Sequence, residues 1–335
     1  MEKICILGAG SWGSALGILL AKKGYDVDMW TLDKEQCESV NRTRENVDFL
    51  PGVVFPNNIN LSNDLSMSVQ GAKAVVLAVP SQAVRSVLKS AKPFIGKEQV
   101  IVNVAKGFEK QTNLRISQVC RQELPENDFA VLSGPSHAEE VGRDMPTTVV
   151  VAADDIKVAE LVQDIFISPK FRVYTNEDLI GVELGGTLKN IIAFGAGISD
   201  GLGYGDNTKA ALMTRGIREI VRLGVAMGAK ATTFSGLSGI GDLIVTCTSM
   251  HSRNRRAGIL VGQGKTLDEA LAEVKMVVEG VVATEVAYGL SNQYGIDMPI
   301  TREIFGVLYE GKDVKKSVID LMLRSRTHEM EDLSI

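Results

Sequence analysis

Short apolar runs alternate with amphipathic stretches in the first half of the chain. Runs rich in branched apolar side chains are typical of strands that are buried on both faces. They occur at residues 4–7, 27–30, 74–79, 100–104, 129–132 and 147–152. Segments with helical periodicity, such as 114–123 and 156–166, lie between them. Strands alternating with helices predict an α/β fold with a doubly wound, largely parallel sheet.

The pattern changes after about residue 176, where the strand-like runs end. Helical periodicity takes over in the segments 182–202, 208–227, 267–274, 284–294 and 301–308. We therefore predict two domains, an α/β domain over residues 1–179 and an all-helical domain over 180–335. Within the first domain, the proline- and asparagine-containing segment 46–61 predicts a loop.

A glycine pattern follows directly after the first predicted strand. Gly8, Gly10 and Gly13 have G-x-G-x-x-G spacing, and helical periodicity begins immediately after them. Gly8 permits a tight turn, Gly10 lets a pyrophosphate approach the backbone, and Gly13 lets helix and strand pack closely. The N–H groups at the start of that helix attract phosphate, and Asp33 after the next strand can accept from a ribose hydroxyl. This context predicts a Rossmann-type dinucleotide-binding domain, with an ordinary glycine turn as the alternative.

Composition narrows the class of protein. The 335-residue chain carries a net charge of −5, which provides no electrostatic footprint for nucleic acid as a partner. Its four cysteines are scattered without metal-binding spacing, and we interpret them as reduced thiols of a cytoplasmic protein. No signal peptide is evident at the start of the sequence. The apolar segment 182–202 carries Glu183 and Lys189, which favours a buried helix over a membrane span.

A nicotinamide cofactor requires a proton donor or acceptor for its alcohol–carbonyl pair. His137 and His251 adjoin motif residues, but two lysines are the better candidates. Lys106 follows strand 100–104, at the strand end where ligands bind in such sheets; a solvated loop lysine is the alternative. Lys189 lies among apolar and glycine residues, where a cation indicates a partner or a function. A lysine that snorkels from the helix edge is the alternative.

Two further polar groups complete the candidate site. Asp242 lies in an apolar turn where a carboxylate needs a partner, and Lys189 is the candidate; a helix N-cap is the alternative. The segment 252–256, Ser-Arg-Asn-Arg-Arg, concentrates three arginines in an acidic protein. Arginine forks bind phosphate oxygens bidentately, so this segment predicts a phosphate site, with a solvated basic turn as the alternative.

At these residues the sequence resembles the bacterial-type NAD(P)-dependent glycerol-3-phosphate dehydrogenases. The similarity covers nearly the whole chain and includes GAGSWGSALG, NVAKGFE, LSGPSHAEEV, GVELGGTLKNIIAFGAGISDGLGYGDNTKAALMTRG, GLSGIGDLIVTCTSMHSRNRR, VVEG and MPITREIF. The resemblance implies reversible reduction of dihydroxyacetone phosphate to sn-glycerol 3-phosphate by NAD(P)H, for glycerophospholipid synthesis. No membrane partner is expected, and a homodimer is a further expectation.

The resemblance also implies roles for individual residues. The implied cofactor contacts, besides the three glycines, are Ser11, Trp12, Leu32, Asp33, Lys106, Ala138, Arg253, Val277 and Glu279. The implied substrate contacts are Lys106, Gly134, Ser136, Lys189, Asp242, Ser252, Arg253 and Asn254. Lys189 would transfer the proton, Asp242 would orient Lys189, and Lys106 would steady the substrate oxygens. Leu32 stands where relatives often carry histidine or arginine, which leaves cofactor preference open with a lean toward NADH.

Two other functions remain open at this point. β-Hydroxyacid and 6-phosphogluconate dehydrogenases resemble this architecture, and the arginine segment favours a phosphate-bearing substrate without selecting one. A non-enzymatic regulator that senses NAD(H) is the second alternative. It would need an effector surface such as a basic DNA-binding helix, and the sequence offers none. The polar residues of the second domain favour an enzyme.

Overall fold

The computed structural model describes residues 2–326 and 328–329, so residues 327 and 330–335 of the predicted second domain lie outside it. The chain forms two compact units. The first comprises Met1–Glu109 and Leu114–Val182, and the second comprises Lys110–Asn113 and Glu183–Ile335.

The first unit alternates strands with helices. Its strands are β1 (Lys3–Leu7), β2 (Asp26–Trp30), β3 (Glu45–Asn46), β4 (Leu50–Val54), β5 (Ile59–Ser62), β6 (Ala72–Leu77), β7 (Val100–Asn103), β8 (Phe108–Glu109), β9 (Leu114–Arg115), β10 (Phe129–Ser133), β11 (Thr147–Ala153) and β12 (Phe171–Asn176). Its helices are α1 (Ser11–Lys22), α2 (Lys34–Thr43), α3 (Leu65–Val69), α4 (Val84–Ala91), α5 (Ile116–Glu123), α6 (Ala138–Val141) and α7 (Ile156–Phe166).

Eight of these strands form one sheet in the order β12-β11-β10-β7-β6-β1-β2-β5. All neighbours pair in parallel except β10 and β11, which are antiparallel. Apolar side chains cover both faces, and Ile4, Ile6 and Leu7 of β1 are completely buried. The predicted doubly wound, largely parallel sheet is confirmed.

Two details of the sequence prediction for this unit were wrong. The segment 46–61 contains β4 and β5 instead of a continuous loop, and β5 extends the sheet beyond β2. The strand β12 was not predicted because it lies at the sheet edge, where exposed Arg172 and Tyr174 alternate with buried Phe171 and Val173. Edge strands have one solvated face and therefore lack the continuous apolar run of a central strand.

The second unit is helical over its described residues, as predicted. Its helices are α8 (Leu179–Gly201), α9 (Asp206–Ala226), α10 (Asp242–Thr248), α11 (Arg253–Gly262), α12 (Leu267–Val274), α13 (Glu279–Tyr294), α14 (Pro299–Tyr309) and α15 (Val314–Met322). A short 3₁₀ helix (Ala231–Ser235) and a π-helix (Leu237–Gly241) precede α10.

Helix α8 is the core of this unit. It is long and apolar enough to cross a membrane, but 94% of its apolar window is buried inside the protein, as in a core helix. Glycines let α11 approach it closely: a Cβ atom on Gly197 would lie 2.1 Å from the Arg255 carbonyl oxygen, and one on Gly258 would lie 2.1 Å from that of Phe194. This contact fixes α11, which carries the predicted phosphate-binding segment, against α8, which carries Lys189.

Candidate active site

The glycine turn between β1 and α1 contains two glycines that the fold requires and one that it does not. Gly8 has φ of +120°, and a Cβ atom there would lie 2.7 Å from the carbonyl carbon of Ala78. A Cβ atom on Gly13 would lie 2.1 Å from the Gly8 carbonyl oxygen. A Cβ atom on Gly10 would meet nothing within 4 Å, so this position borders open space. Gly10 is therefore the glycine whose missing side chain leaves room for a ligand.

The start of α1 has the properties of an anion site. Gly10 is its N-cap, no side chain caps the helix, and its first turn contains no acidic residue. Ser11 and Trp12 are partly exposed, and the indole Nε1 of Trp12 is buried without a hydrogen-bond partner among the described residues. Uncapped N–H groups and the positive end of the helix dipole favour a phosphate group. The turn therefore fits the pyrophosphate of a dinucleotide.

The two predicted ribose-side residues lie beyond β2. Leu32 is 83% exposed. Asp33 is the N-cap of α2, and its Oδ1 accepts a hydrogen bond from the Gln36 N–H at 3.0 Å. The carboxylate is thus held in place by its own helix. Its contact with a ribose hydroxyl stays a prediction.

Two predicted substrate residues of the first unit, Lys106 and Ser136, donate hydrogen bonds to the carbonyl group of a third, Gly134. Lys106 follows β7, and its Nζ donates to the Gly134 oxygen at 3.0 Å. The Ser136 hydroxyl donates to the same oxygen at 2.9 Å. Gly134 has φ of +135°, which disfavours any other residue, and Ala138 is buried at the start of α6. Lys106 is therefore held by the loop after β10 and is not a solvated loop lysine.

Lys189 is the centre of a buried polar cluster in the second unit. It is 5% exposed on α8, and its Nζ contacts Asp242 Oδ1 at 2.5 Å and Thr246 Oγ1 at 2.6 Å. Asp242 is 1% exposed and is the first residue of α10, whose N-cap is Gly241. The carboxylate therefore serves as the partner of Lys189 and not as a helix cap.

Close backbone packing creates this cluster. A Cβ atom on Gly185 would lie 2.5 Å from the Ser238 carbonyl oxygen, so α8 packs directly on the π-helix. A Cβ atom on Gly239 would lie 2.0 Å from the Phe234 carbonyl oxygen, so that helix can form only with glycine there. These contacts place Asp242 against Lys189. In such dry surroundings an ion pair with further hydrogen bonds fixes the position of the lysine amine.

Cys247 follows this cluster on α10 and is completely buried. Burial raises the pKa of its thiol to about 12, although the nearby Lys189 and two other cations act in the opposite direction. The thiol therefore stays protonated near neutral pH and does not act as a nucleophile. The proton-transfer role of Lys189 stays a prediction.

Sequence reasoning did not single out two members of this network, Thr246 and Asn190. Thr246 accepts from Lys189 and donates to the Asp242 carbonyl oxygen at 2.6 Å. Its position four residues after Asp242, on the same helical face, was the available signal. Asn190 follows Lys189 directly, is 5% exposed, and accepts from Asn254 at 2.9 Å. No pattern in the sequence marks that contact.

The side chains of the Ser-Arg-Asn-Arg-Arg segment make different contacts in the structure. The Ser252 hydroxyl caps α11 and accepts from the Arg255 N–H at 3.2 Å. Asn254 donates to Asn190, and its Oδ1 accepts the Gly280 N–H at 2.8 Å, so its amide links α8, α11 and α13. Arg255 pairs with Asp200 at 2.7 Å. Arg253 is partly exposed in the first turn of α11, and its contact with a phosphate stays a prediction.

The remaining predicted contacts lie at the start of α13. Val277 is 46% exposed, and Glu279 is the partly buried first residue of the helix. Gly280 beside it is the residue that Asn254 holds. Over residues 2–326 and 328–329, no group of three histidine, cysteine, aspartate or glutamate side chains could hold a metal ion.

Comparisons with known proteins identify the family of this chain. Residues 3–159 match the N-terminal and residues 178–319 the C-terminal family model of NAD-dependent glycerol-3-phosphate dehydrogenase. Curated glycerol-3-phosphate dehydrogenases [NAD(P)+] are similar over nearly their full length. That of Moorella thermoacetica is 60% identical over 98% of both chains, and that of Pelotomaculum thermopropionicum is 57% identical over 99% of this chain and 96% of its own.

A solved structure of a glycerol-3-phosphate dehydrogenase is also similar to this chain. The glycerol-3-phosphate dehydrogenase of Coxiella burnetii has a TM-score of 0.93 and 38% identity, covering 96% of this chain and 99% of that one. The similarity in sequence and fold extends over both units, and the chain belongs to the NAD-dependent glycerol-3-phosphate dehydrogenase family.

Proposed function

We propose that this chain catalyses the reversible, NAD(P)H-dependent reduction of dihydroxyacetone phosphate to sn-glycerol 3-phosphate, a step toward glycerophospholipids. The observation that carries the proposal is the buried contact of Lys189 with Asp242 and Thr246. A desolvated lysine held by a carboxylate and a hydroxyl has one fixed orientation from which it can exchange a proton. The names of the similar proteins support the choice of substrate.

In this mechanism Lys189 gives a proton to the carbonyl oxygen at C2 of the substrate, or takes it from the alcohol in the reverse direction. A nicotinamide cofactor, when bound, would supply or accept the hydride at that carbon. Asp242 orients the lysine and balances its charge, and the Thr246 hydroxyl accepts a second Nζ hydrogen, which further fixes the ammonium group. A preorganised donor needs no rearrangement as the charge on oxygen develops.

Further residues bind and orient the substrate. Arg253 grips the phosphate, with Ser252 and Asn254 beside it on α11. A bound phosphate lets remote binding energy position the reacting carbon. Lys106, held on the Gly134 carbonyl together with Ser136, steadies the substrate oxygens.

For the cofactor, Gly8, Gly10 and Gly13 accommodate the pyrophosphate, with Ser11 and Trp12 at the start of α1. Ala138, Arg253, Val277 and Glu279 are the further proposed contacts. We propose a preference for NADH over NADPH. Leu32 provides no cation for a 2′-phosphate, and the neighbouring Asp33 carboxylate repels one.

We also propose a cytoplasmic homodimer that needs no membrane for its activity. None of the four cysteines is in a disulfide, which suits a reducing compartment. Ile240, Ile244 and Met250 are large exposed apolar side chains of the second unit, as expected at an interface between copies. Light scattering on the purified protein measures the mass, and a monomer at all concentrations would contradict the dimer.

The test of the proposed reaction is the oxidation of NADH and of NADPH by dihydroxyacetone phosphate, followed by absorbance. Unphosphorylated dihydroxyacetone is the matched control for the phosphate site. We expect oxidation only with the phosphorylated acceptor and a higher kcat/KM with NADH. No oxidation with either cofactor would refute the reaction, and equal rates with both acceptors would refute the role of the phosphate.

A further inference from the structure

The carbonyl oxygen of Ala9, inside the glycine turn, accepts hydrogen bonds from two side-chain amides. Asn46 Nδ2 donates to it at 2.9 Å and Gln36 Nε2 donates to it at 2.8 Å. A backbone carbonyl oxygen has two lone pairs, so these two amides saturate it. Gln36 is 27 and Asn46 is 37 residues away from Ala9 in the chain. The turn is therefore held by two side chains that only tertiary packing brings to it.

Asn46 contacts both sides of the segment that begins helix α1. It is 2% exposed on β3, and its Nδ2 also donates to the hydroxyl of Ser14 at 2.9 Å. Ala9 precedes α1, whereas Ser14 is a completely buried residue of that helix. Residues 10–13 lie between the two contacts and carry N–H groups that have no partner within the helix. The Asn46 amide thus brackets the N–H groups that fit a pyrophosphate.

The geometry of the peptide bond links the Ala9 carbonyl to these N–H groups. The bond between Ala9 and Gly10 is trans, since the part of the chain that the structure describes contains no cis peptide bond. A trans peptide is planar, and its C=O and N–H groups point in opposite directions. A carbonyl that faces the two amides therefore turns the Gly10 N–H away from them. The same peptide plane sets the direction in which α1 starts, and with it the N–H groups of Ser11 and Trp12.

Gln36 connects this turn to the residue proposed to contact the ribose. Its Oε1 accepts from the Thr31 hydroxyl at 2.9 Å, and its backbone N–H donates to Asp33 Oδ1 at 3.0 Å. Its Nε2 reaches the Ala9 carbonyl from the same first turn of α2. The two ends of the proposed adenosine and pyrophosphate site are therefore tied together by one side chain.

We propose that Asn46 and Gln36 are positioning residues of the dinucleotide site. Their amides hold the Ala9 carbonyl, so the N–H groups at the start of α1 are aligned for a pyrophosphate before the cofactor binds. Donors that are already oriented lose little conformational freedom on binding, which increases affinity. The inference rests on the proposed NAD(P)H-dependent function. Because NADH and NADPH share the pyrophosphate, Asn46 acts on the affinity for both and not on the preference between them.

The experiment titrates the full chain with NADH and with NADPH and follows cofactor fluorescence. Asn46→Ala and Gln36→Met each remove one amide, and each should weaken NADH binding about fivefold, the usual effect of one hydrogen bond. NADPH binding should weaken by the same factor in Asn46→Ala. Unchanged NADH affinity in both variants would overturn the inference alone. Absence of NADH binding by the natural chain would refute the proposed function as well.

The double variant tests whether the two amides act through one carbonyl. Gln36 Nε2 also contacts Asn46 Oδ1 at 3.4 Å, so the amides are neighbours. Either amide alone still holds the Ala9 oxygen, and only the double variant releases it. Its loss of NADH affinity should therefore exceed the roughly 25-fold product of the two single losses. A loss equal to that product would mean independent effects and would overturn the shared role.

Asn58→Ala is the matched control for a purely structural amide. Asn58 Nδ2 donates to the carbonyl oxygens of Ala21 at 2.9 Å and Tyr25 at 2.7 Å, near the other end of α1. Thermal unfolding should show a lower melting temperature for this variant and for Asn46→Ala, but only Asn46→Ala should bind NADH more weakly. Equal losses of NADH affinity would mean that general destabilisation weakens binding, and the inference would be wrong.

Kinetics separate cofactor positioning from effects on the substrate. At saturating NADH, Asn46→Ala should keep the KM for dihydroxyacetone phosphate and kcat within about twofold, since no contact of Asn46 involves Lys106 or Lys189. A rise in this KM as large as the loss of NADH affinity would contradict the assignment. Gln36 is only partly buried, so Gln36→Met provides the same tests if Asn46→Ala does not fold.

Discussion

The glycine turn of the first unit and the Lys189 cluster of the second unit are built in opposite ways. The turn consists of backbone: Gly8 and Gly13 lack side chains because neighbouring backbone atoms occupy that space, and Gly10 borders open space. The cluster consists of side chains that are nearly inaccessible to water. Lys189 and Asp242 are 53 residues apart in the chain, and Lys189 and Thr246 are 57 apart.

The difference determines which substitutions each region tolerates. A backbone site is sensitive to added atoms, because any side chain fills the space for the ligand or for a neighbouring strand. A buried ionic site is sensitive to removed atoms, because the remaining partner keeps its charge without compensation.

Lys189→Ala should lower kcat by about a thousandfold, the usual contribution of a general acid or base. NADH affinity should stay within a few-fold, since the glycine turn does not depend on this side chain. Stopped-flow kinetics and fluorescence titration with NADH measure the two quantities. Near-normal turnover would exclude Lys189 as the proton donor. Loss of NADH binding together with activity would mean that the variant is misfolded.

Glu219 tests whether a buried charge in the second unit can be purely structural. Burial raises the pKa of its carboxyl from an ordinary 4.5 to about 7, and its hydrogen bonds from α14 only partly oppose this. Between these values the unfolded state has released the proton that the folded state retains. Stability should therefore fall by about 3 kcal/mol as the pH rises from 4.5 to 7.

Denaturant unfolding of the natural chain and of Glu219→Gln over this pH range measures that effect. The variant cannot titrate at this position, so the difference between the two curves isolates the carboxyl group. Parallel curves would show that the pKa of Glu219 does not change on folding.

Arg253→Ala should raise the KM for dihydroxyacetone phosphate by about 10- to 100-fold, since hydrogen bonds to charged groups contribute roughly 1.5–3 kcal/mol. Arg255→Ala is the matched control in the same segment. Arg255 pairs with Asp200, so its removal should lower the melting temperature and change KM only slightly. Similar KM changes in both variants would contradict the division of tasks within this segment.

Gly10→Ala and Gly13→Ala distinguish the glycine that leaves room for a ligand from the glycine that the fold requires. Gly10 has φ of −75° and an unobstructed Cβ direction, so alanine should weaken NADH binding about tenfold while stability changes by less than about 1 kcal/mol. Gly13→Ala should cost about 1–3 kcal/mol of stability, because its Cβ atom would overlap the Gly8 oxygen. Unchanged NADH affinity in Gly10→Ala would contradict the pyrophosphate assignment.

Thr246→Val should have the smallest effect, a decrease in kcat of about fivefold. Valine keeps the shape of threonine but removes the hydroxyl between Lys189 and the Asp242 backbone, a hydrogen bond of about 1 kcal/mol. Thr248→Val lies on the exposed side of α10 and is the control, with kcat unchanged. A decrease of a thousandfold in Thr246→Val would give the hydroxyl a direct part in proton transfer.

Apolar patterns in the sequence predicted most of the helices and strands. They did not predict elements that have one buried face and one solvated face. The central strands and the long helices α8 and α9 have continuous or periodic apolar patterns that dictate one structure. The edge strand β12 and the short helices α10, α11 and α15 carry weaker patterns and were not predicted. For such elements, packing against neighbours decides the conformation more than intrinsic preference does.

The sequence by itself determined the glycine turn and the family to which the chain belongs. Gly8, Gly10 and Gly13 lie within six residues, so strand, turn and helix N-terminus follow from local chemistry. Motifs along the whole chain carry the family resemblance in the same local way.

Only the tertiary structure decided the partners of the polar side chains. In the tertiary structure, Lys189 contacts Asp242 and Thr246, and Arg255 pairs with Asp200. The side chain of Asn254 links α8, α11 and α13. The physical reason is that a buried polar group requires a partner wherever the packed backbone brings one within reach, and distance along the chain does not restrict that choice.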